Sequence, residues 1–210
     1  METARLRNES APAPRPESPA YEREVPAGTV PGMSPVAGPL FAAALVLGLA
    51  GLLKLTQPGP TRIALRSAGL PGTVLAARAL GAGELAVTAY VLVAGGRLGA
   101  ALLAAAYLAF AAFSALVRSK TSGQASCGCF GASDAPLTNL HVGVDLAIAV
   151  VALVAVADPV PGIVEVARDT PLAGIPFLGF TALLAWLVQV LLTALPALQA
   201  ASRPPKKVAR

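Results

Sequence analysis

Five long apolar runs, each close to the length of a membrane-crossing helix, dominate this sequence. A helix needs about 20 apolar residues to cross the roughly 30 Å hydrocarbon layer of a bilayer. Ala and Leu are abundant in the runs and strict two-residue alternation is absent, which favours helices over the strands of a membrane barrel. The sequence therefore predicts an all-α fold, an integral membrane helical bundle of four to five transmembrane helices in the cell membrane. The runs lie near residues 37–55, 74–95, 98–117, 139–157 and 174–195.

Composition excludes two other classes of protein. Hydrophobic residues make up 55% of the 210-residue chain and charged residues only 13%, which is outside the range of an ordinary water-soluble domain. The formal net charge of +5 does not indicate nucleic-acid binding, because basic residues flanking membrane helices account for it and no basic face interleaved with aromatic residues is present. The expected environment is the lipid bilayer.

The chain divides into a central membrane domain and less apolar flanks. The first 36 residues are rich in Pro and Ala and carry charges of both signs, which predicts a disordered arm. No short charged segment directly precedes the first apolar run, so that run is expected to stay as an anchor instead of being removed as a signal peptide. The predicted parts are an arm at 1–36, a four-helix membrane domain at 37–157, a connector with a fifth helix at 158–195, and a basic tail at 196–210.

Three connectors are predicted to shape the bundle. Residues 61–71 form a mildly amphipathic stretch that suits the membrane interface. Only Gly95, Gly96 and Arg97 separate the second and third runs, which predicts an antiparallel hairpin. Residues 118–138 form the longest polar connector near the bundle.

That third connector contains both cysteines of the chain, Cys127 and Cys129, separated by Gly128. Two thiols at positions i and i+2 form a disulfide only if the backbone bends sharply, and glycine permits such a bend. A ring so tight is strained, which makes the disulfide a good oxidant and suits a pair that is oxidised and reduced in each cycle. Two alternatives stay open: ordinary loop residues, and thiolate ligands for Cu(I) or Zn(II). The zinc alternative lacks partners, because only His141 and Asp134 lie nearby in sequence and no metal site is predicted.

Two further sets of ionisable residues lie in or beside the predicted helices. Glu84 lies well inside the second run, where an unpaired charge costs several kcal/mol, on the order of the insertion-scale values, so we expect it to be paired, protonated or facing a polar cavity. Lys54 and Arg78 are its candidate partners. His141 and Asp145 share one face of the fourth helix just after the cysteines. A histidine there could promote thiolate formation or relay a proton, or it could simply cap the helix.

Taken together, Gly51-Leu52-Leu53-Lys54-Leu55 at the end of the first run, Glu84 in the second, and Cys127-Gly128-Cys129-Phe130-Gly131 before the fourth resemble the MauE family of methylamine-utilisation membrane proteins, which is related in architecture to DoxX-like proteins. The resemblance implies a role in disulfide formation or maturation of a dehydrogenase subunit, together with a thioredoxin-like partner or disulfide-containing client. It also implies that Cys127 and Cys129 are the redox pair, and Lys54, Arg66 and Glu84 match polar positions of the family.

The resemblance leaves the kind of activity open. The chain could be a component of a thiol-disulfide oxidoreductase, a non-enzymatic assembly scaffold, or a small metal or solute permease. No cofactor is evident, and a quinone as onward electron acceptor has no supporting motif, since no second cysteine pair exists. With five helices, the first and third connectors and the tail share a side. Their basic residues favour the cytoplasmic face, whereas disulfide chemistry favours the oxidising outer face.

Overall fold

The computed structural model describes residues 34–121, 128, 137–169 and 171–201. Within these ranges the chain forms helices and no strand. Most of the predicted arm, Cys127 and Cys129, and most of the basic tail lie outside the described residues. The helices are α1 (Ala37–Thr56), α2 (Pro58–Ser67), α3 (Val74–Val93), α4 (Gly96–Thr121), α5 (Asn139–Ala157), α6 (Ile163–Asp169) and α7 (Pro171–Ala201).

Five of the helices in the described ranges are long and apolar enough to cross a membrane: α1, α3, α4, α5 and the Gly174–Leu195 part of α7. This confirms the predicted all-helical membrane bundle, with five candidate spans. Large apolar side chains such as Leu75, Val93 and Ile175 are exposed along these helices, as expected for surfaces that face lipid. The amphipathic stretch after α1 is the short helix α2, with Pro58 at its start.

The structure corrects two predicted connectors. Gly96 and Arg97 already belong to α4, so the turn between α3 and α4 consists of Ala94 and Gly95. Gly95 has a φ of +58°, a conformation that glycine adopts without strain, and this allows so short a turn. The third connector begins after Thr121 instead of at residue 118, because Arg118 and Lys120 continue the helix.

Helix α1 occupies the centre of the bundle. In its span 61% of the residues are buried, compared with 17–39% in the other four. Small residues such as Ala43, Ala44 and Gly48 let neighbouring helices approach closely, which is the usual basis of helix packing in lipid. Helix α3 packs mainly against α1, whereas α4 packs mainly against α5. The two helices of the α3–α4 hairpin therefore diverge, because each packs mainly against a different neighbour.

The two ends of the bundle differ in composition. We call the end that contains the start of α1, the α3–α4 turn and residues 158–162 the apolar end. A large apolar cluster fills it, including Phe41, Leu47 and Leu103. We call the other end, which contains the end of α1, all of α2 and the end of α4, the polar end. Its apolar cluster is much smaller and consists of Ala68, Val117 and Leu137 with Phe113 packed against them.

Candidate functional site

A buried ion pair joins α1 and α3 at the polar end. Lys54 Nζ lies 2.8 Å from Glu84 Oε2, and the two side chains are only 5% and 7% exposed. Lys54 is thus the partner that Glu84 was predicted to need, while the alternative candidate Arg78 is exposed. Removing a charged pair from water is unfavourable unless the two groups neutralise each other, so this pair constrains how α1 and α3 pack.

A close approach between two glycines holds the pair in place. A Cβ atom added to Gly51 would lie 2.7 Å from the carbonyl oxygen of Gly81, and one added to Gly81 would lie 2.6 Å from the carbonyl oxygen of Gly51. The backbones of α1 and α3 therefore touch directly. Lys54 and Glu84 each follow their glycine by three residues, about one helical turn. Sequence reasoning missed these glycines, although the shared spacing Gly-x-x-Lys and Gly-x-x-Glu could have identified them.

A hydroxyl group fixes the same two helices one turn further along α3. Thr88 Oγ1 lies 3.0 Å from the carbonyl oxygen of Ala44 in α1 and 2.9 Å from that of Glu84 in its own helix. Thr88 is buried, so its hydroxyl must find such acceptors. This contact holds α3 against α1 close to the carboxylate.

Only one of the two oxygen atoms of the Glu84 carboxylate accepts a hydrogen bond from the described part of the chain. Oε2 accepts the hydrogen bond from Lys54, but Oε1 is buried and accepts none from the described part of the chain. Lys54 Nζ also lies 5.4 Å from the centre of the Phe110 ring in α4, within cation–π range. A buried acceptor without a donor destabilises a fold, so Oε1 is a candidate contact for something other than this chain.

Two neighbouring spaces adjoin the pair. The first, which we call the inner cavity, has a volume of about 240 Å³ and contains Lys54, Glu84 and Thr61 in an otherwise apolar wall. The second, the lateral groove, has a volume of about 560 Å³ and lies between α3 and α4. The residues that line both spaces are Leu80, Glu84, Ala109 and Phe110. The groove therefore leads from the membrane-facing surface to the ion pair.

Gly128, the residue between the two cysteines, is anchored on α2. Its φ is +64° and it is buried. Thr61 Oγ1 donates a hydrogen bond of 2.8 Å to its carbonyl oxygen, and an added Cβ would lie 2.6 Å from the carbonyl oxygen of Pro60. The left-handed conformation agrees with the sharp bend that the sequence assigned to this glycine. Because Thr61 also lines the inner cavity, one side chain connects Gly128 to the space beside Lys54 and Glu84.

The contact between Thr61 and Gly128, together with contacts from the end of α4, shows that the first and third connectors share one end of the bundle. Besides the bond from Thr61 to Gly128, Lys120 Nζ donates a 2.7 Å hydrogen bond to the carbonyl oxygen of Ala68 at the end of α2. Arg118 at the end of α4 bonds to the side chain of Asn139 at the start of α5. Arg66, a polar position of the resemblance, is exposed on the last turn of α2.

His141 occupies the first turn of α5 and is 5% exposed. Its Nδ1 lies 3.4 Å from the backbone nitrogen and 3.3 Å from the hydroxyl of Thr138, the residue that caps the helix. The backbone of Leu192 in α7 is a second hydrogen-bond partner. These contacts give the ring a capping role, and its supporting role toward the cysteines stays a prediction. Asp145 is buried one turn further along α5.

Only a few groups in the described ranges could hold a cofactor or a metal. No cluster of three or more His, Cys, Asp or Glu side chains suitable for a metal occurs among the described residues. Lys54, Glu84 and Phe110 instead offer a donor, an acceptor and an aromatic ring beside a cavity.

Comparison with known proteins gives a family for this arrangement. The model of the family described as "Methylamine utilisation protein MauE" matches residues 34–158. That range contains α1 to α5, the Lys54–Glu84 pair and both cysteines. No curated protein and no solved structure matches the chain. Since the match covers more than half of the 210 residues, the chain belongs to the MauE family, and with its five apolar helices it is a multi-pass membrane protein associated with methylamine utilisation.

Proposed function

We propose that this protein is a redox component of the cell membrane whose Cys127 and Cys129 exchange a disulfide with a thioredoxin-like partner or a disulfide-containing client. In methylamine utilisation, the client would be a dehydrogenase subunit that acquires disulfides during maturation. Membership of the MauE family supports the pathway, and the placement of Gly128 supports the chemistry.

The anchoring of Gly128 carries this proposal. Its left-handed backbone and its bond to Thr61 fix the middle of the Cys-Gly-Cys triplet on a buried surface of α2. Cys127 and Cys129 are the direct neighbours of Gly128 in the chain. A catalytic dithiol needs a defined backbone more than an ordinary loop does, because strain sets the redox potential of its disulfide.

The exchange is balanced without any further reactant. A thiolate of the client attacks the Cys127–Cys129 disulfide, one S–S bond breaks and a mixed disulfide forms. The second client thiolate then displaces this protein's sulfur, which leaves an oxidised client and a reduced Cys127–Cys129 pair. Two electrons pass from the client to this protein, and the thiolates released take up the client's two protons.

Thiol labelling of the purified full-length protein tests the proposal. If the pair cycles, Cys127 and Cys129 should react with a maleimide only after reduction, and Cys127→Ser should trap a mixed disulfide through the remaining cysteine. Labelling that does not depend on prior reduction would contradict the redox role. The same labelling in intact and in lysed cells places the pair on one side of the membrane.

The alternative of a non-enzymatic scaffold predicts a different genetic result. Replacing both cysteines with Ser should abolish complementation of a deletion strain if they exchange disulfides, because no other cysteine exists in the chain. The change removes two sulfur atoms and no charge, so a docking surface would tolerate it. Full complementation by the double variant would favour the scaffold and overturn the redox proposal.

A further inference from the structure

The lateral groove and the inner cavity together have the form of a binding site for an amphiphilic molecule. The groove opens between two membrane-spanning helices, where exposed residues such as Ala79, Leu80 and Gly83 face lipid. A ligand that enters by this route arrives from the hydrocarbon layer, so it must carry an apolar tail. The inner end of the route contains the Lys54–Glu84 pair, so the ligand must also carry a polar head.

The chemistry of the inner end restricts that head. Lys54 and Glu84 neutralise each other, so the site has no net charge to offset a charged headgroup. An anionic head would face the buried Oε1 of Glu84, which has no donor in the described part of the chain. A neutral head that accepts a hydrogen bond from Lys54 and donates one to Glu84 Oε1 suits both groups.

Phe110 adds a requirement of shape. Its ring lines both spaces and lies beside Lys54 Nζ, so a planar head can stack on it next to the ammonium group. The inner cavity, at about 240 Å³, is large enough for one six-membered ring with substituents. A planar ring with oxygen atoms at its edge and an apolar tail is the chemical description of a membrane quinone, whose oxidised form accepts the hydrogen bond from Lys54 and whose quinol form also donates one to Glu84 Oε1.

We propose that the groove binds a lipid-soluble quinone, whose ring occupies the inner cavity beside Lys54, Glu84 and Phe110 and whose tail lies between α3 and α4. Binding follows from the described residues alone, whereas the electron transfer rests on the proposed function of the cysteines. In that step the reduced pair loses two electrons and two protons as its S–S bond forms. The quinone takes up both, and its two C=O groups become the C–OH groups of a quinol.

The ion pair has a defined role in this step. Lys54 polarises one carbonyl of the oxidised ring by donating a hydrogen bond, and Glu84 Oε1 accepts a hydrogen bond from a hydroxyl of the quinol. The contact from Thr61 to Gly128 brings the backbone of the residue between the two cysteines to the wall of the same cavity. The site would thus reoxidise the pair after each exchange with a client, which explains how a chain with one cysteine pair completes a cycle.

Binding is tested with the full-length protein in phosphatidylcholine nanodiscs and a benzoquinone that carries a decyl chain. We expect saturable binding above that of empty nanodiscs, and no competition from decylbenzene, which has the same ring and chain without oxygens. Phospholipid is already in large excess in this assay, so an acyl chain that occupied the groove would prevent saturable binding. That result would overturn the proposal.

Two variants locate the site, and a third serves as matched control. Gly83→Leu fills the groove, and a Cβ at Gly83 meets no atom within 4 Å, so folding should be unaffected. Gly179→Leu in α7 is the control, because Gly179 is also an exposed helical glycine with open space around it. We expect Gly83→Leu to weaken the binding of the decylbenzoquinone and of its quinol about tenfold, Glu84→Gln to weaken the binding of the quinol about tenfold through the loss of one hydrogen bond to a charged group, and Gly179→Leu to have no effect. Equal affinity in Gly83→Leu and Gly179→Leu would contradict the site.

The cysteines separate this proposal from the proposed function. The double variant Cys127→Ser with Cys129→Ser should bind the quinone normally and fail to reduce it, whereas the reduced native protein should convert one quinone for every two thiols lost under anaerobic conditions. Binding without reduction by the native dithiol would overturn the acceptor role. A third outcome is that the cysteines exchange with a client dithiol but the protein does not bind the quinone. That outcome would leave the proposed function intact and overturn only the quinone site.

Discussion

At the apolar end of the bundle, helices meet through small side chains and direct hydrogen bonds. Gly96 N donates to the carbonyl oxygen of Val160 at 2.7 Å, and Tyr107 donates to that of Ala43 at 2.8 Å. At the polar end, the helices instead enclose a cavity and a carboxylate oxygen without a donor in the described ranges. Cavities and unpaired acceptors both reduce stability, so stability alone does not account for the polar end. Its construction agrees with the quinone site that we propose.

The two ends nevertheless share one backbone feature. Gly95 and Gly128 are both buried, both have a positive φ, and each lies directly against the backbone of another connector. Gly95 meets Val160 and Pro161, whereas Gly128 meets Pro60 and Thr61. The same backbone geometry thus occurs in a structural turn at one end and in the glycine between the two cysteines at the other. Substitutions that change the stability of the fold without changing the reaction of the cysteines, or the reverse, test whether the two ends differ in role.

The largest effect is expected from Lys54→Met. The substitution removes the only partner that the described residues offer to the Glu84 carboxylate and leaves that carboxylate buried. Breaking a buried ion pair by removing one partner costs about 3–5 kcal/mol. The free energy of unfolding, measured with denaturant in detergent micelles, should fall by this amount.

Arg78→Met is the matched control for that prediction, because Arg78 is an exposed basic residue of α3. We expect a change within about 0.5 kcal/mol. Adding Glu84→Leu to Lys54→Met should restore most of the stability, since replacing both charges with apolar groups is often neutral. If Lys54→Met and Arg78→Met had equal effects, the ion pair would not stabilise the polar end.

Gly81→Ala should have the next largest effect. The new methyl group would lie 2.6 Å from the carbonyl oxygen of Gly51 and 2.9 Å from Lys54 Cβ, so α1 and α3 must separate. Such overpacking costs about 1–3 kcal/mol. Gly83→Ala in the same helix meets nothing within 4 Å and should be neutral or more stable by about 0.5–1 kcal/mol, because alanine favours a helix. Thermal unfolding of both variants checks the prediction, and a loss that is equal in the two would exclude the glycine contact as its cause.

The sequence predicted the spans well because their signal is local. Hydrophobic length identifies a membrane helix without reference to its neighbours, and the five predicted runs differ from the helices by only a few residues at most ends. The pairing of Glu84 was also predictable, since an acidic residue at that depth needs a partner. The ends of the helices were less predictable from the sequence. Lys120 extends α4 because its ammonium finds the carbonyl of Ala68, a contact between residues far apart in sequence.

The groove could not be predicted from the sequence. It exists because α3 packs on α1 and α4 packs on α5, which leaves the arms of one hairpin apart. Which neighbour a helix selects depends on contacts such as Gly51 with Gly81. The spacing of these glycines from Lys54 and Glu84 indicates that α1 and α3 meet, but the sequence does not show that α3 and α4 diverge. The contact between Gly128 and Thr61 could not be predicted from the sequence either, since 67 positions separate the two residues.

The two buried glycines provide a third prediction. Gly95→Ala and Gly128→Ala each force a left-handed conformation on alanine, which costs about 1–2 kcal/mol. We expect both to lower the melting temperature, but only Gly128→Ala to slow the reaction of the cysteine pair with a small dithiol. Gly96→Ala isolates the conformational cost, because Gly96 has a φ of +69° and open space around it. Slowed thiol exchange in Gly95→Ala would show that the two ends are not independent.

The smallest effect is expected from Tyr107→Phe, which removes only a hydroxyl group. Tyr107 donates a buried hydrogen bond to the carbonyl oxygen of Ala43, and its ring packs edge-to-face on Phe110, with 5.8 Å between the ring centres. The loss of such a bond costs about 1 kcal/mol, whereas Tyr90→Phe at an exposed position should cost nothing measurable. Because phenylalanine keeps the ring that supports Phe110, quinone binding and thiol exchange should stay unchanged. If Tyr107→Phe weakened quinone binding as much as Gly83→Leu does, the hydroxyl would position Phe110 for its ligand, and the apolar end would be part of the site instead of only its support.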